Sequence, residues 1–348
     1  MRIATYNCEN LFSRPRIFGE SQAKALRLLD YLAQLETELR KEEFDHARIA
    51  ELEKKLAGYA KVNDIRGKHK SAQGARAWLG WVELARDRLD DTAVQNTARV
   101  IADLRADIVC LIEIEDRLAL QRFHDKILYE KFLQPARLPR YERVLLIDGN
   151  DPRGIDVALL ARLPVTAIRT HIHERTTYLG KDVPLFSRDC LEVDLQLPNR
   201  KRLHLLVNHF KSMGYGDKRD PQSNQRRLEQ AARVAELVDA YDLKKDFVVV
   251  AGDLNSPPTS PSLAPLVNKR GLYNTVLQLP ASERSTYHDG KQQIDYLLVS
   301  DALKKRLTRV HIERRGIYSR KWAHYDTVTD QTSEASDHAA VVGEFNLG

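Results

Sequence analysis

Apolar and polar residues alternate from Arg2 to Asn7, with Ile3, Thr5 and Asn7 on one face and Arg2, Ala4 and Tyr6 on the other. This two-residue period predicts a strand. Arg14-Pro15-Arg16 breaks it. The period then changes: Leu28, Leu32, Leu35 and Leu39, followed by Ile49, Leu52, Leu56 and Tyr59, recur every three or four residues. Such stripes predict two helices, or one long interrupted helix. From 93 to 104 a further helical stripe runs through Val94, Ala98, Ile101 and Ala102, and 107–113 is an apolar strand ending in Glu113. Residues 117–133 read as helix.

Short strands are expected at 143–147, 155–161, 165–170, 191–197 and 204–207. A long amphipathic helix follows at 222–240, a strand at 246–252 and a short helix at 263–267. Strands at 294–299, 310–317 and 339–345 complete the chain. This order predicts an α+β fold, a four-layer α/β/β/α sandwich of two mixed sheets packed face to face with helices outside. The expected organisation is one domain over 1–348, with a helical insertion at about 13–90. Between 20 and 90 there are 14 Lys and Arg against 13 Asp and Glu, so the insertion as a whole is not a basic surface. Its tip, Lys61 to Arg76, is locally basic and reads as a solvated loop or as a contact for a substrate backbone.

Length and composition narrow the class. At 348 residues with 43% hydrophobic content the chain is globular, with enough residues for a large core. No apolar run reaches the roughly 20 residues of a membrane span, so no membrane partner is expected. The written sequence passes from Met1 directly into the first strand. That points to the cytoplasm, or to the periplasm or cell exterior where a leader has been removed. Cys8, Cys110 and Cys190 lack metal-type spacing and lie in apolar runs, which predicts buried thiols. A net charge of +6 and a pI near 9.1 favour a polyanionic partner.

Several apolar strands end in an acid, amide or imidazole. Val248 to Pro257 reads Val-Val-Val-Ala-Gly-Asp-Leu-Asn-Ser-Pro, which carries Asp253 and Asn255 off one strand end. Asn7 with Glu9, Glu113, Asn208-His209 and Asp337-His338 repeat the design, and Asp295 opens Asp-Tyr-Leu-Leu-Val. Each has a plain alternative: Asn7 as a turn cap, Glu113 as a solvated loop edge, His209 as a core histidine. Asp295 could partner a buried arginine, and Asp337 could belong to a turn. Together, hard oxygen donors and imidazoles suit a hard cation, a phosphate oxygen and an attacking water.

Thr5-Tyr-Asn-Cys-Glu-Asn, Leu111-Ile-Glu-Ile-Glu, Val207-Asn-His-Phe-Lys-Ser, Gly252-Asp-Leu-Asn-Ser, Gln293-Ile-Asp-Tyr and Ser336-Asp-His occur in one order. As a set they resemble the endonuclease/exonuclease/phosphatase superfamily of metal-dependent phosphoesterases. Arg153-Gly-Ile-Asp and Phe186-Ser-Arg-Asp resemble its bacterial extracellular-nuclease branch most. The resemblance implies Glu113 as the main metal ligand, with Asn7, Asp337 and Glu9 beside it, and Mg²⁺ or Mn²⁺ as the ion. It implies that Asp253 orients or deprotonates water, that Asn255 holds water or phosphate, and that His338, set by Asp295, stabilises phosphate charge. His209 is implied as a second phosphate-binding imidazole, with Asn208 close by.

Arg188, Lys211 and the pair Arg226-Arg227 are candidate phosphate contacts, and Tyr215, Trp78, Trp81 and Trp322 are candidate base-stacking residues. Ile112 stands where many relatives have Gln, which removes a polar neighbour but leaves the carboxylate. The expected activity is metal-assisted, in-line hydrolysis of DNA by a nuclease, with RNA left open as a second substrate. The rivals are a phosphatase or phosphodiesterase of inositol phosphates, phospholipids or other small esters, and a noncatalytic nucleic-acid-binding protein.

Overall fold

The computed structural model describes every residue except Phe12, Leu89, Pro152, Asp289 and Gly348. At Asn10, Ser13, Arg14, Phe18, Arg88 and Tyr215 it describes the backbone but not the side chain. The chain divides into two compact units: Met1–Phe12 with Leu89–Gly348, and Ser13–Arg88.

The larger unit is built on two 6-stranded sheets. In spatial order the first runs Leu307–Glu313, Ala340–Phe345, Arg2–Leu11, Ile108–Ile114, Asp156–Ala161, Arg143–Leu146. The second runs Leu272–Asn274, Asp295–Ser300, Phe247–Asp253, Arg202–His209, Cys190–Gln196, Val165–Arg169. Each sheet holds one parallel pair, Arg2–Leu11 with Ile108–Ile114 in the first and Arg202–His209 with Phe247–Asp253 in the second; the other pairs are antiparallel.

The central strands are apolar on both faces because both faces are covered. Ile3, Ile108, Cys110 and Ile112 meet Leu205, Val207, Val249, Ala251 and Leu297 between the sheets. The alternate residues Ala4, Tyr6, Val109 and Leu111 face the helix Asp91–Leu104 through Val94, Ala98 and Ile101. On the far side Leu206, Val248 and Val250 pack on Ala231 and Val234 of the helix Asn224–Val238. These are the four layers of the expected sandwich. All three cysteines are free and buried, and among the described residues no helix is long and apolar enough to cross a membrane.

Some elements depart from the pattern read along the chain. The edge strand expected at 310–317 begins at Leu307 and ends at Glu313, and Ile317 lies in a turn closed onto Arg314. The hairpin Arg175–Tyr178 with Lys181–Pro184 and the strand Leu272–Asn274 were not expected, being short and without an apolar alternation. In the smaller unit the helices Gln22–Glu38 and His46–Lys55 are joined by two antiparallel pairs, Ala60–Arg66 with Leu79–Leu84 and Ser13–Pro15 with Arg86–Arg88. The first pair is anchored by polar contacts more than by an apolar face: Trp78 Nε1 donates to Asp64 Oδ1 at 2.6 Å, and His69 bridges Asp64 and Glu53 at 2.9 Å each.

Gly252 is the tightest point of the second sheet. It has φ of +132°, and a Cβ there would stand 1.9 Å from the Asn208 carbonyl oxygen on the neighbouring parallel strand. Gly252→Ala is therefore expected to lose roughly 3 kcal/mol or more of stability, from the disfavoured dihedral and the forced separation of the strands. Urea unfolding of the two proteins measures this, and an unchanged midpoint would show that the strands yield freely.

Candidate active site

Strand direction explains why the polar ends meet. In each parallel pair both strands end on the same rim, supplying Asn7, Glu113, His209 and Asp253. The antiparallel neighbours Asp295–Ser300 and Ala340–Phe345 start on that rim, which brings Asp295 and the preceding Asp337-His338 to it. Asp253 lies in register with His209 on one side and with Asp295 on the other. Asn7, His209, Asp253 and Asp295 share the parity of the residues between the sheets, so their side chains lie in that layer.

Glu113 reaches the layer by another device. By alternation it would face the outer helix, as Val109 and Leu111 do. A bulge between Ile112 and Ile114, with Glu113 at φ 64°, changes the parity, so that Ile112 stays between the sheets while Ile114 joins the helix side. Glu9 (φ 48°) and Asn255 (φ 52°) are left-handed too. Strained residues of this kind concentrate where side chains must be aimed.

Asp253 is the hub. Its Oδ2 accepts from Asn7 Nδ2 at 3.2 Å and Asn255 Nδ2 at 3.1 Å, while Oδ1 accepts from the Asn255 backbone N–H at 2.8 Å. His209 Nε2 stands 3.7 Å from Asp253 and 3.6 Å from Glu113. His338 Nδ1 meets both Asp295 oxygens at 3.0 and 3.1 Å, and its Nε2 stands 3.4 Å from Asn7 Nδ2 and 3.6 Å from Asp337. Glu9 Oε2 accepts from the Asp337 backbone N–H at 3.2 Å.

Burial sets the charge states. It pushes the Asp253 carboxyl up to about 7, with the Asp295 and Glu113 charges adding to the rise and His338 opposing it. Burial alone would lower His338, but the Asp295 and Asp337 carboxylates more than reverse this, so the imidazolium is favoured. His209 goes the other way: burial and then the charges of Arg188 and Arg153 hold it well below the usual histidine value. One imidazole is thus held cationic and the other neutral around a carboxylate able to take a proton near neutral pH.

The remaining expected residues divide. Lys211 is half-buried, and burial together with Arg188 and Arg153 brings it down to about 7. Arg188 is wholly buried, its Nε 2.9 Å from Asp151 and its Nη1 donating to the Phe210 carbonyl at 3.1 Å, so it acts as an interior charge and not as an open contact. Asn208 is buried, donating to the Leu206 carbonyl at 3.0 Å, while its Oδ1 has no hydrogen-bond partner.

Arg227 departs from the expected substrate contact. It has no exposed surface, and its donors are taken by Ser256 Oγ (2.7 Å), the Lys211 and Gln222 carbonyls (2.8 and 2.7 Å) and Asn224 Oδ1 (2.9 Å). It braces loops instead of meeting solvent. Arg226 is buried over the Tyr178 ring. Trp78 is a packing residue, Trp81 is exposed, and Trp322 lies under Arg314 and Lys321. The Tyr215 side chain lies outside the described residues.

Residues beyond the motifs also converge. Asp151 holds Arg153 at 2.5 Å as well as Arg188, and both arginines keep its carboxyl well below the usual range against the effect of burial. Asp156 accepts from the Gly149 N–H at 2.8 Å, and burial pushes it up to about 7. Their signal was Arg153-Gly-Ile-Asp, a charged stretch opening an apolar strand.

The donor set can be tested for a cation. Among the described residues, no group of three His, Cys, Asp or Glu side chains forms a ready cage. Mg²⁺ does not need one, since it keeps several waters and takes one or two carboxylates plus substrate phosphate. Glu113 and Asp337 supply hard oxygens, Asn208 Oδ1 is a buried oxygen without a partner, and the Asp253 charge is opposed by its acidic neighbours. The chemistry of these donors fits a hard divalent ion. As oriented here Asn7 turns its nitrogen to Asp253, and its oxygen accepts the Glu9 N–H at 3.0 Å.

The model of the Endonuclease/Exonuclease/phosphatase family matches residues 74–338. Among solved structures, an endonuclease/exonuclease/phosphatase from Bacteroides vulgatus is similar at 14% identity over 73% of this chain and 91% of its own, with a TM-score of 0.50. A conserved protein of unknown function from Enterococcus faecalis is similar at 11% identity over 73% and 90%, also at 0.50. These likenesses speak for the fold. A search of curated proteins finds no match.

Asp156 offers a test of the electrostatics away from the central cluster. Its folded value of about 7 lies above the ordinary 3.8. The stability contributed by its neutral form is complete below 3.8 and lost as pH rises through 7. Raising the pH from 5 to 8 should therefore destabilise the wild type by about 3 kcal/mol relative to Asp156→Asn. Urea titrations at the two pH values check this; a pH-independent gap would refute the burial argument.

Proposed function

The chain belongs to the endonuclease/exonuclease/phosphatase family, whose members hydrolyse phosphate esters, and on that premise we propose that it is a divalent-metal-dependent phosphodiesterase that cuts nucleic acid, DNA foremost. The observation that carries this reading is the position of Asp253, joined to Asn7 and Asn255 and standing within 3.7 Å of His209 at the rim between the sheets.

Asp253 orients the attacking water and accepts its proton, as befits a carboxyl held near 7. Asn255, fixed by the Phe210 carbonyl at 3.1 Å, keeps Asp253 and the water aligned. His338, held cationic by Asp295, donates to a phosphate oxygen as its charge develops. His209, held neutral, donates to a second phosphate oxygen through whichever ring nitrogen carries its proton. Glu113, Asp337 and Glu9, with Asn7 after rotation of its amide, would hold Mg²⁺ or Mn²⁺. When bound, such an ion supplies neutralisation of a non-bridging oxygen and of the leaving oxygen. Lys211 and the buried Arg188–Arg153 charges favour an anionic substrate, and the net charge of +6 favours a polymeric one.

Asp253→Ala and His338→Ala are each expected to reduce cleavage of plasmid and oligonucleotide DNA in Mg²⁺ or Mn²⁺ by about 10²-fold or more. Chelation should stop the wild type. Hydrolysis of a phosphoinositide or sphingomyelin with DNA left intact would replace the nuclease by a small-ester phosphodiesterase. Tight DNA binding without turnover of any ester would make it a binding protein.

A further inference from the structure

Beyond Asn255 the rim opens into a cavity of about 490 Å³, a size typical of small-ligand sites. Its lining contrasts with the neighbouring cluster. Met213, Leu228 and Pro257 give apolar surface, Asn224, Gln225 and Gln292 give amides, and the rest of the wall is neutral as well. In a chain with 30% charged residues, no ionisable side chain among the described residues lines this space. Such a wall offers no cation to a phosphate and no charge partner to an amino or acid group. It matches a flat, neutral ring with hydrogen-bond donors and acceptors along its edge.

The walls are fixed in advance. Arg227 ties Ser256 to Gln222 and Asn224 and to the Lys211 carbonyl, and Tyr296 O–H donates to the Ser256 carbonyl at 2.6 Å. Because Arg227 holds the Asn224 amide by its oxygen, the Nδ2 donor is left for a ligand. Leu228, 42% exposed on the helix Asn224–Val238, forms an apolar lip. Ser256 lines the cavity and directly follows Asn255, whose amide donates to Asp253, so the cavity begins one residue from the cluster.

We infer that this cavity is a nucleobase pocket, which seats the base of the nucleotide attached to the reacting phosphate. The inference rests on the phosphodiesterase reading above and narrows it to nucleotide substrates. Arg227 is a positioning residue for the pocket, not a phosphate contact.

The test compares esters with and without a base: thymidine 5′- and 3′-(p-nitrophenyl phosphate) against methyl p-nitrophenyl phosphate, all with Mn²⁺. Leu228→Glu and Gln225→Ala alter exposed residues, so the fold is retained. KM for at least one nucleoside ester is expected to rise about tenfold in Leu228→Glu, a change of about 1.4 kcal/mol, with kcat and all turnover of the methyl ester preserved. Equal effects on both ester classes, or none, would overturn the pocket. If wild type hydrolyses neither these esters nor DNA, the phosphodiesterase reading fails by itself. The pocket is then judged by saturation-transfer NMR with thymidine, adenosine and ribose. Saturation of base protons that Leu228→Glu abolishes supports it, and absence of saturation refutes it.

Discussion

The architecture depends on one constraint: each sheet places a single parallel pair at its middle and buries it on both faces. Parallel neighbours finish on the same side, and the antiparallel strands flanking them begin there. Packing two such sheets through Ile3, Cys110, Ile112, Val207, Val249 and Ala251 brings both sets of ends to one rim. Chain segments more than three hundred residues apart, such as Asn7 and His338, thereby come within 3.4 Å. No single loop has to reach for its partner, because the apolar layer does the aligning.

That alignment has an electrostatic cost. Asp253, Asp295, His209 and His338 are nearly without solvent contact, and isolated charges in such a place are strongly disfavoured. Pairing divides the problem. His338 with Asp295 forms an ion pair, His209 is kept neutral by desolvation and by Arg188 and Arg153, and Asp253 is left close to the balance between its two forms. Three groups whose ordinary values all lie below neutrality thus acquire distinct protonation states within one cluster. The neutral cavity past Asn255 begins where this charged network ends, which gives the rim two chemically different halves.

Much of this was legible in the residues. Both sheets, the outer helices and the polar strand ends follow from apolar runs and from two-residue and 3.6-residue periods, since the central strands and the helices Asp91–Leu104 and Asn224–Val238 carry strong apolar patterns. Elements held by polar contacts were not legible. The strand pair Ala60–Arg66 with Leu79–Leu84 relies on Asp64, His69 and Trp78, and the hairpin at Arg175–Pro184 lacks an apolar stripe. The fate of Arg227 was hidden for a related reason. A basic residue in the first turn of a helix looks exposed, yet here four acceptors, from two loops and from the helix's own Asn224, surround it. Asp151 pairs with Arg188 from a separate segment, a relation that spacing along the chain cannot disclose.

The bulge at Glu113 has a consequence for how this strand can change. The extra residue is Glu113 itself, so the bulge and the carboxylate it directs into the cleft stand or fall together. Deleting Glu113 would bring Ile112 and Ile114 into step with Val157 and Asp156 of the neighbouring antiparallel strand and leave the apolar layers intact. The rim would lose its acid while the domain kept its shape. Insertions and deletions here thus offer a one-step route from a hydrolytic scaffold to an inert one of the same architecture.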